Sequence, residues 1–377
     1  MRHAILGLIK KELTSLGIEC KCTTHNELIE CIKTYTRGES VETLDYVGSN
    51  IDPLHSVVRT STYPYTYFSQ ISEAFSGNFG TLYHTMRTRE PDNQKKLFLK
   101  VAKRKEDNTL HVEAILHAIS NVVLSFYGFS WAIPRIFDIV RHPHFGISFT
   151  IERCPEARLL KHYLDEHLEW GVASSRNDTI LLGIISQLST YIAILEHELY
   201  MNHRDLTGSN VLMIIPSDSV KKTVAFDKYL WTLQISHKTI LVDFGFSCLG
   251  SLPSRKTAVN SGNYFPDTDF CPKDGRDMFL FIASLWKNPQ IRQSVTPKVT
   301  ALIHTWLRTT RKNNWAQWIE SAQTMDMRSM YLLTMSDSFS SPSSSPIQII
   351  KDIANEFSHI VFFQERSVTP LPRSLYE

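Results

Sequence analysis

Two short stretches of the chain each place an acidic residue beside an apolar, strand-like run. The first, residues 202–210, reads NHRDLTGSN, and the apolar run VLMII follows it at residues 211–215. The second is Asp243, which ends the apolar run ILV and is followed by Phe and then Gly245. Short apolar runs with β-branched members are typical of buried strands, and Gly245 allows the chain to turn sharply. We therefore predict two carboxylates and one amide at the ends of adjacent strands.

Asp205, Asn210 and Asp243 are the polar side chains of this arrangement. Carboxylate and amide oxygens are ligands that a hard divalent cation accepts. A carboxylate beside them can also accept a hydrogen bond from a hydroxyl group and orient it. Phosphoryl transfer requires both features, because its catalysis consists mostly of positioning and neutralisation of charge.

The composition is that of an ordinary soluble globular chain. Of its 377 residues, 42% are hydrophobic and 21% are charged, a balance that fits one large core or two smaller ones. The formal net charge of +2 provides no general attraction to nucleic acids or membranes. We therefore expect neither nucleic acid nor a membrane as a partner.

Six cysteines are spread along the chain: Cys20, Cys22, Cys31, Cys154, Cys248 and Cys271. They are too sparse for a disulfide scaffold, so we predict reduced thiols and an intracellular location, cytoplasmic or nuclear. The first three, together with His25, could suggest a zinc site, but their spacing is not a recognised ligand pattern. Small thiols buried under a pair of helices are the preferred interpretation.

The first 66 residues are predicted to form a helical extension. Leu6, Ile9 and Leu13 recur at three- and four-residue intervals, which is typical of an amphipathic helix. The start of the chain lacks the length and the cleavage site of a secretory signal, so we expect none. The longest uncharged apolar stretch, residues 179–195, contains polar residues, and its apolar residues recur at helical spacing, which favours a buried helix over a membrane span.

Taken together, the two motifs resemble the signature of eukaryotic-type protein kinases. The pattern HRDLxxxN at residues 203–210 is similar to the catalytic loop of that family, and DFG at residues 243–245 is similar to its metal-binding motif. A glycine turn, a strand lysine and a helix glutamate precede them in the family's order. The resemblance covers about residues 70–285. It is nearest to haspin-like and large-DNA-virus kinases, because the connection between the motifs is long and the Ala-Pro-Glu anchor is missing.

The resemblance implies an α+β, two-lobed protein-kinase-like fold. Its small lobe, residues 67–151, would be an antiparallel sheet with one key helix. The larger helical lobe, residues 152–335, would begin with the hinge. Residues 216–238, between the two motifs, are predicted to form an extended hairpin or a surface insertion. Residues 336–377 are predicted to be a flexible Ser/Pro-rich linker, then an amphipathic helix over residues 347–362, and a tail. A passive spacer is the preferred interpretation of the linker, and a phosphorylation target is the alternative.

The resemblance also implies ATP and Mg²⁺ as ligands. Gly77 and Gly80 would let backbone amides close over the phosphates, because glycine removes the side-chain obstacle. Lys100, oriented by Glu113, would neutralise phosphate charge, since a buried ammonium requires a carboxylate partner. Lys103 is the competing candidate for the strand lysine. A solvated face of lysines is the alternative to both.

The hinge is expected to run from Glu152 to Cys154, after Ile151 at the gatekeeper position. In the family, backbone amide and carbonyl groups of the hinge pair with the edge of the adenine ring. This kind of recognition leaves no side-chain signature. The assignment of Glu152 and Cys154 to nucleotide binding therefore rests on their position relative to the other motifs.

The catalytic residues implied by the resemblance are Asp205, Lys100 and Asn210. Asp205 would accept a hydrogen bond from the substrate hydroxyl and act as the base late in the transfer. Asn210 and Asp243 would hold Mg²⁺. Asp277 fits the position of a buried acid that supports the catalytic loop through its backbone.

Residues 246–274 would form the activation segment, with hydroxyl groups at Ser254, Thr257, Ser261 and Tyr264. Arg204, within the catalytic loop, is expected to support the structure of the loop. Pairing of Arg204 with a phosphorylated residue of the activation segment is a second hypothesis.

Two departures from the family pattern leave two classes of function open. Phe75 stands where the glycine-rich loop has its first glycine, and Thr207 stands where most serine/threonine kinases have a lysine that contacts the transferred phosphate. The first hypothesis is an active protein kinase that transfers the γ-phosphoryl group of Mg-ATP to a Ser or Thr hydroxyl of a protein substrate. The second is a pseudokinase that binds partners or nucleotide without transfer. A small-molecule kinase is a third and less favoured hypothesis, because such enzymes usually lack an arginine at the position of Arg204.

Overall fold

The computed structural model describes most of the chain, in thirteen ranges. These are residues 2–37, 44–46, 58–60, 67–76, 80–88, 94–103, 109–142, 146–216, 218–262, 265–266, 268–309, 313–321 and 327–366. Gly77, one of the two glycines predicted to approach phosphate, lies outside the described residues.

The described residues form both helices and strands, which confirms the predicted α+β class. The helices are α1 (Arg2–Ser15), α2 (His25–Arg37), α3 (Thr109–Phe126), α4 (Leu160–His167), α5 (Ser175–Leu199), α6 (Arg276–Trp286), α7 (Pro289–Ser294), α8 (Pro297–Trp306), α9 (Trp315–Ser321), α10 (Met327–Met335) and α11 (Pro346–Glu356). The strands are β1 (Leu44–Tyr46), β2 (Val58–Thr60), β3 (Tyr67–Ser76), β4 (Gly80–Thr88), β5 (Gln94–Ala102), β6 (Ile136–His142), β7 (Gly146–Glu152), β8 (Arg158–Leu159), β9 (Met201–Asn202), β10 (Val211–Ile214), β11 (Val220–Phe226), β12 (Tyr229–Ile235), β13 (Lys238–Leu241), β14 (Cys248–Gly250), β15 (Thr257–Asn260) and β16 (Val361–Glu365).

The first seven strands form one antiparallel sheet in the order β1-β2-β3-β4-β5-β7-β6. Successive side chains of a strand point to opposite faces of a sheet. In β5 the side chains of Leu97 and Leu99 are fully buried on one face. Lys100 therefore points to the other face, where its ammonium reaches Glu113 of α3. This alternation is what directs a strand lysine toward a helix.

Two apolar helices, α3 and α5, contribute many buried residues to the main hydrophobic core. Ile115 and Ile119 of α3 and Ile185 and Leu188 of α5 are all fully buried. The predicted buried helix over residues 179–195 is confirmed as part of α5. By length and composition alone both helices could cross a membrane, but 67% of the most apolar window of α3 and 89% of that of α5 are buried inside the protein. The core therefore accounts for their apolar character.

The N-terminal helices belong to the same core. Ile9 and Leu13 of α1 are fully buried among the core residues, and α1 lies against α3. The two predicted helices are present, but the chain before residue 67 also supplies β1 and β2, which extend the large sheet at one edge. The N-terminal extension is therefore built into the fold of the rest of the chain.

The segment between the two sequence motifs forms a hairpin, as predicted. Strands β11 and β12 pair antiparallel, and β16 from the C-terminal region adds a third strand. Trp231 of β12 is fully buried and its Nε1 donates a hydrogen bond to Thr190 Oγ1 of α5 at 3.0 Å. The hairpin therefore packs against the core and is not a surface insertion. The predicted C-terminal helix ends at Glu356, because the chain turns there to enter β16.

The Ser/Pro-rich segment after α10 is packed, and the prediction of a flexible spacer is wrong. Ser341 and Ser344 are fully buried. Ser341 Oγ donates a hydrogen bond to the carbonyl oxygen of Arg308 at 2.6 Å, and Ser344 Oγ donates one to the carbonyl oxygen of Trp306. The last carbonyl groups of a helix lack partners within the helix, and here serine hydroxyls provide them for the end of α8.

Four cysteines lie in pairs at disulfide-bonding distance. Cys20 pairs with Cys31, with their Cα atoms 5.9 Å apart, and Cys248 pairs with Cys271, with their Cα atoms 6.3 Å apart. Both separations are in the usual range for disulfides. The sequence predicts all six cysteines to be reduced, but these four are paired in the structure. The fold brings the members of each pair together from 11 and 23 positions apart in the sequence.

Two buried histidines of α3 should make the fold sensitive to acid. Burial lowers the pKa of His111 and of His117 from 6.5 to about 4. Between these values the unfolded chain binds more protons than the folded one, so the free energy of unfolding falls as the pH drops. We expect a loss of about 2 kcal/mol per histidine between pH 7 and pH 5. Denaturant unfolding at the two pH values measures it.

The matched control for this prediction is the exposed His359. Replacement of His111 by Leu and of His117 by Gln should reduce the dependence of stability on pH. His359→Gln should leave it unchanged. If stability depends on pH equally in the His111→Leu, His117→Gln and His359→Gln proteins, the effect does not come from the histidines of α3.

Candidate active site

The two sequence motifs are brought together by strands on both sides of each motif. Before the catalytic-loop motif, β9 pairs with β14, which follows the DFG motif. After the catalytic-loop motif, β10 pairs with β13, which precedes the DFG motif, and Val211 is the partner of Leu241. The amide of Val242 also donates a hydrogen bond to the carbonyl oxygen of Asn210 at 3.1 Å. The prediction that the polar residues lie at the ends of adjacent strands is confirmed.

The carboxylate of Asp277 supports the backbone of the catalytic-loop motif, residues 203–210. This carboxylate, fully buried at the start of α6, accepts hydrogen bonds from the amides of His203 at 2.7 Å and Arg204 at 2.8 Å. Arg204 has a left-handed backbone with a φ of +64°, a conformation that a residue other than glycine keeps only when its surroundings impose it. The supporting contact predicted for Asp277 is present.

Asp205 is half-buried and both of its carboxylate oxygens accept hydrogen bonds. Oδ2 accepts one from Asn210 Nδ2 at 2.8 Å, and Oδ1 accepts one from the hydroxyl of Tyr331. Asn210 Nδ2 also donates to the main-chain carbonyl of Asp205 at 2.8 Å. Both bonds use the amide nitrogen, so the amide oxygen is the atom that Asn210 can offer to a cation. Burial raises the pKa of Asp205, and the hydrogen bond from Tyr331 opposes this rise.

Lys100 joins two acids that are distant in the sequence. Its Nζ lies 2.5 Å from Glu113 Oε1 and 2.9 Å from Asp243 Oδ1. Burial alone would lower the pKa of Lys100, but the two carboxylates raise it above its ordinary value. Lys103, the competing candidate, is exposed. Lys100 and Glu113 are therefore in contact, as predicted. Lys100 is not part of a solvated face of lysines.

Asp243 presents its carboxylate both to Lys100 and to solvent. Its side chain is 46% exposed, and its backbone has a φ of +63°. Burial raises the pKa of this carboxyl group, but Lys100 outweighs it and the net shift is downward. A Cβ atom on Gly245 would lie 3.2 Å from Asp243 Oδ1 and 3.5 Å from Glu113 Oε2. Glycine at position 245 therefore keeps the space around these acids open.

Gly80 lies next to the strand that carries Lys100. Strands β4 and β5 are paired there, and a Cβ atom on Gly80 would lie 2.9 Å from the carbonyl oxygen of Val101 and 3.4 Å from Lys100 Cε. Because real Cβ atoms do not approach backbone this closely, the position requires glycine. Of the two predicted phosphate-binding glycines, the structure describes this one and places it beside the lysine.

Glu152 and Cys154 lie at the end of the large sheet, where the chain leaves β7. The amide of Glu152 donates a hydrogen bond to the carbonyl oxygen of Arg135 at 2.8 Å, and the carbonyl oxygen of Cys154 accepts one from Ala157 at 3.1 Å. Cys154 is half-buried, and burial raises the pKa of its thiol to about 11. Glu152, in β7, is paired with Leu97 of β5, the strand that carries Lys100. The predicted hinge therefore begins at the end of the strand next to that of Lys100.

Sequence reasoning missed Asp269, which binds three cations. Its carboxylate lies 2.7 Å from Arg204 Nη2, 2.7 Å from Arg276 Nη2 and 2.5 Å from Lys273 Nζ. Arg204, Arg276 and Asp269 are fully buried. Burial raises the pKa of the Asp269 carboxyl group, but the hydrogen bonds and charge of Arg276 lower it overall. A single aspartate within a loop carries no sequence signal of this role.

The contacts of Arg204 bear on its second hypothetical role. Besides Asp269, its guanidinium donates hydrogen bonds to Thr257 Oγ1 at 2.7 Å and to Asn260 Oδ1 at 3.0 Å. The carboxylate of Asp269 therefore already lies beside Arg204, at the place where the second hypothesis puts a phosphorylated residue. Among the described residues of the predicted activation segment, Thr257 is the hydroxyl residue that contacts this arginine. Burial, and then repulsion by Arg276, lower the pKa of Arg204 to about 9.

Tyr331 is the second functional-site residue that the sequence did not indicate. It lies on α10, 126 positions after Asp205 and beyond the region of family resemblance. The C-terminal end of α10 is held by Lys273 Nζ, which donates to the carbonyl oxygens of Thr334, Met335 and Ser336 at 3.1–3.2 Å. The same buried cluster that binds Arg204 therefore also positions the helix that carries Tyr331.

The predicted magnesium ligands consist of one acid and one amide, Asp243 and Asn210. Among the residues that the structure describes, no group of three or more His, Cys, Asp or Glu side chains is arranged to hold a metal ion. Magnesium is commonly held by one or two protein oxygens together with phosphate oxygens and water. The donor set of Asp243 and Asn210 fits an ion that arrives with a nucleotide.

The sequence matches no protein-family model, and it has no significant match among curated proteins. The functional assignment therefore depends on the residues and on their arrangement.

Loss of the charge of Asp269 should destabilise the protein strongly. Asp269→Asn keeps the size of the side chain but leaves Arg204, Arg276 and Lys273 without their carboxylate in a buried site. Breaking a buried ion pair in this way costs about 3–5 kcal/mol. Denaturant unfolding measures the loss. Glu365→Gln, at the exposed pair with Lys228, is the control and should have little effect. Equal losses in the two variants would contradict the role of the cluster.

Proposed function

We propose that this protein is a protein kinase with a two-lobed, kinase-like fold, which transfers the γ-phosphoryl group of Mg-ATP to a serine or threonine hydroxyl of a protein substrate. The observation that carries the proposal is the position of Lys100, whose ammonium is bound by Glu113 from α3 and by Asp243 from the DFG motif. The consecutive elements β5 and α3 meet the DFG motif, which lies 143 positions after Lys100, in the order that the resemblance requires. We propose an intracellular location, as expected from the sequence.

The proposed lobes correspond to two differently built parts of the chain. Strands β3 to β7 with α3 would be the small lobe, to which β1 and β2 of the N-terminal extension add at one edge, and the region after Glu152, which contains most of the helices, would be the large one. Lys100 and Gly80 belong to the first part, and Asp205 and Asn210 belong to the second. A nucleotide held between them would have its phosphates near Lys100 and its terminal phosphate near Asp205.

On the acceptor side, Asp205 would accept a hydrogen bond from the substrate hydroxyl and take its proton late in the transfer. Asn210 holds the carboxylate in place through the bond between its Nδ2 and Asp205 Oδ2. Asp277 fixes the backbone of the same loop. These contacts position the base before substrate binds, which is the main protein contribution to this kind of reaction.

On the nucleotide side, Lys100 would place a positive charge beside the phosphates. Its raised pKa keeps the ammonium protonated at neutral pH. Glu113 orients the lysine through the contact at 2.5 Å. The absence of a side chain at Gly80 leaves the backbone of β4 free to approach a phosphate, because nothing projects between them.

Asn210 and Asp243 would hold the magnesium ion, Asn210 through its amide oxygen and Asp243 through its carboxylate. When bound, magnesium supplies charge neutralisation at the phosphate oxygens. The exposed side of Asp243 is consistent with a ligand that arrives from solvent with the nucleotide.

A pseudokinase is the second candidate function, and two observations favour it. The hydroxyl of Thr207 is hydrogen-bonded to Ser209 Oγ at 2.7 Å, and threonine provides no cation for the transferred phosphate. Tyr331 contacts the proposed base, Asp205. The complete set of Lys100, Glu113 and Asp205 favours the active enzyme, because a scaffold has no chemical need for these residues together.

Replacement of the proposed base should remove phosphate transfer. We expect Asp205→Asn to lower the incorporation of radiolabelled phosphate from Mg-ATP into generic protein acceptors by about 100-fold or more, because it removes the proton acceptor. Asp227→Asn, in the exposed turn of the β11–β12 hairpin, is the matched control and should retain full activity. Equal incorporation in wild type and Asp205→Asn would exclude the proposed base. Acid hydrolysis of the labelled product identifies the acceptor residue.

Mg-ATP should raise the melting temperature of the protein through Lys100. Ligand binding to the folded state stabilises it, so Lys100→Met should lose most of the shift that Mg-ATP causes in the wild type. Lys103→Met tests the competing lysine and should keep the shift. A shift in wild type without any phosphate transfer would favour the pseudokinase. A shift that is lost in Lys103→Met and kept in Lys100→Met would exclude the assigned lysine.

A further inference from the structure

The hydroxyl of Tyr331 occupies the position that the proposed function assigns to the substrate hydroxyl. Asp205 uses Oδ2 to accept a hydrogen bond from Asn210, which leaves Oδ1 as the atom available to an acceptor hydroxyl. Tyr331 donates its hydroxyl hydrogen bond to this Oδ1 atom. Among the described residues, no other hydroxyl donates a hydrogen bond to the carboxylate of Asp205.

The contact is held by the surrounding structure. Met330 and Thr334, the neighbours of Tyr331 on α10, are buried. The last turn of the helix is fixed by Lys273 and by Arg276, whose Nη2 donates to the carbonyl oxygen of Thr334 at 3.1 Å. Since both cations are buried and also bound to Asp269, α10 is tied to the cluster under the catalytic loop.

We propose that Tyr331 is an intramolecular phosphorylation site, at which the chain transfers phosphate to its own α10. The inference rests on the proposed kinase function. A hydroxyl already held by the base requires no recognition of a separate substrate, because its proximity replaces the bimolecular encounter. A tyrosine can therefore serve as the internal acceptor of an enzyme whose protein substrates carry serine or threonine.

The step uses only Mg-ATP and the chain. The oxygen of Tyr331 attacks the γ-phosphorus and forms a new P–O bond. The bond between the γ-phosphorus and the oxygen that bridges it to the β-phosphorus breaks, and its electron pair leaves with ADP. The phenolic proton passes to Asp205 and then to solvent. The products are ADP and a tyrosine phosphate.

Phosphorylation would change the contact that positioned the acceptor. A tyrosine phosphate carries nearly two negative charges and would lie beside the carboxylates of Asp205 and Asp243, so it would be repelled. Tyr331 would then leave Asp205, and Oδ1 would become accessible to the hydroxyl of a protein substrate. The internal transfer would thus precede transfer to other proteins.

The experiment uses the full chain, first treated with a phosphatase and then incubated with Mg-ATP. Phosphopeptide mass spectrometry at successive times should place phosphate on Tyr331. The fraction modified per unit time should be the same at all protein concentrations, since the reaction occurs within one molecule. Asp205→Asn should lose this phosphate. Tyr229→Phe, a tyrosine of the β12 strand, is the matched control and should keep it.

A parallel assay with a generic protein acceptor separates the inference from the proposed function. Wild type should transfer phosphate to this acceptor after a lag that Tyr331→Phe lacks. Transfer to the acceptor with no phosphate on Tyr331 would overturn the inference and leave the proposed function intact. No transfer to either would overturn the proposed function itself. A rate of Tyr331 modification per molecule that rises with protein concentration would show transfer between molecules and would also overturn the inference.

Discussion

The rest of the proposed site depends on the hydrogen bonds that the carboxylate of Asp277 accepts from the loop at residues 203–210. This carboxylate is fully buried and accepts two backbone hydrogen bonds, from His203 and Arg204. Charge-assisted hydrogen bonds are strong when water is excluded, so they can hold the left-handed backbone of Arg204. The residue that follows Arg204 is Asp205, and its position is therefore set by this contact before any ligand binds.

A second buried carboxylate extends this support to parts of the chain that are far apart. Asp269 binds Arg204 from the catalytic loop, and it also binds Lys273 and Arg276, which hold the end of α10. One anionic group thus connects the catalytic loop with the helix that carries Tyr331. A buried charge without its partners is costly. We therefore expect the loop that contains Arg204 and helix α10 to stay fixed relative to each other.

The part of the site proposed to bind nucleotide is held in place by a separate set of contacts. Lys100 is directed by the alternation of β5 toward α3, where Glu113 is buried. Its second partner, Asp243, belongs to the strand ends that also position the catalytic loop. The ammonium therefore links the large sheet to the two motifs. The mutual attraction of these charges offsets the cost of removing them from water.

The sequence by itself predicted the hairpin between the motifs and the buried helix α5, and the family resemblance of its motifs implied the α+β class and the pairing of Glu113 with Lys100, with Lys103 as the competing lysine. These features follow from local periodicity or from short motifs, in which a few neighbouring residues specify the chemistry. Only the tertiary structure decided that Tyr331 contacts Asp205, that Asp269 binds three cations and that Ser341 and Ser344 are buried. Tyr331 lies 126 positions after Asp205, and Asp269 lies 65 positions after Arg204. Such contacts depend on how the elements pack, which no local pattern specifies.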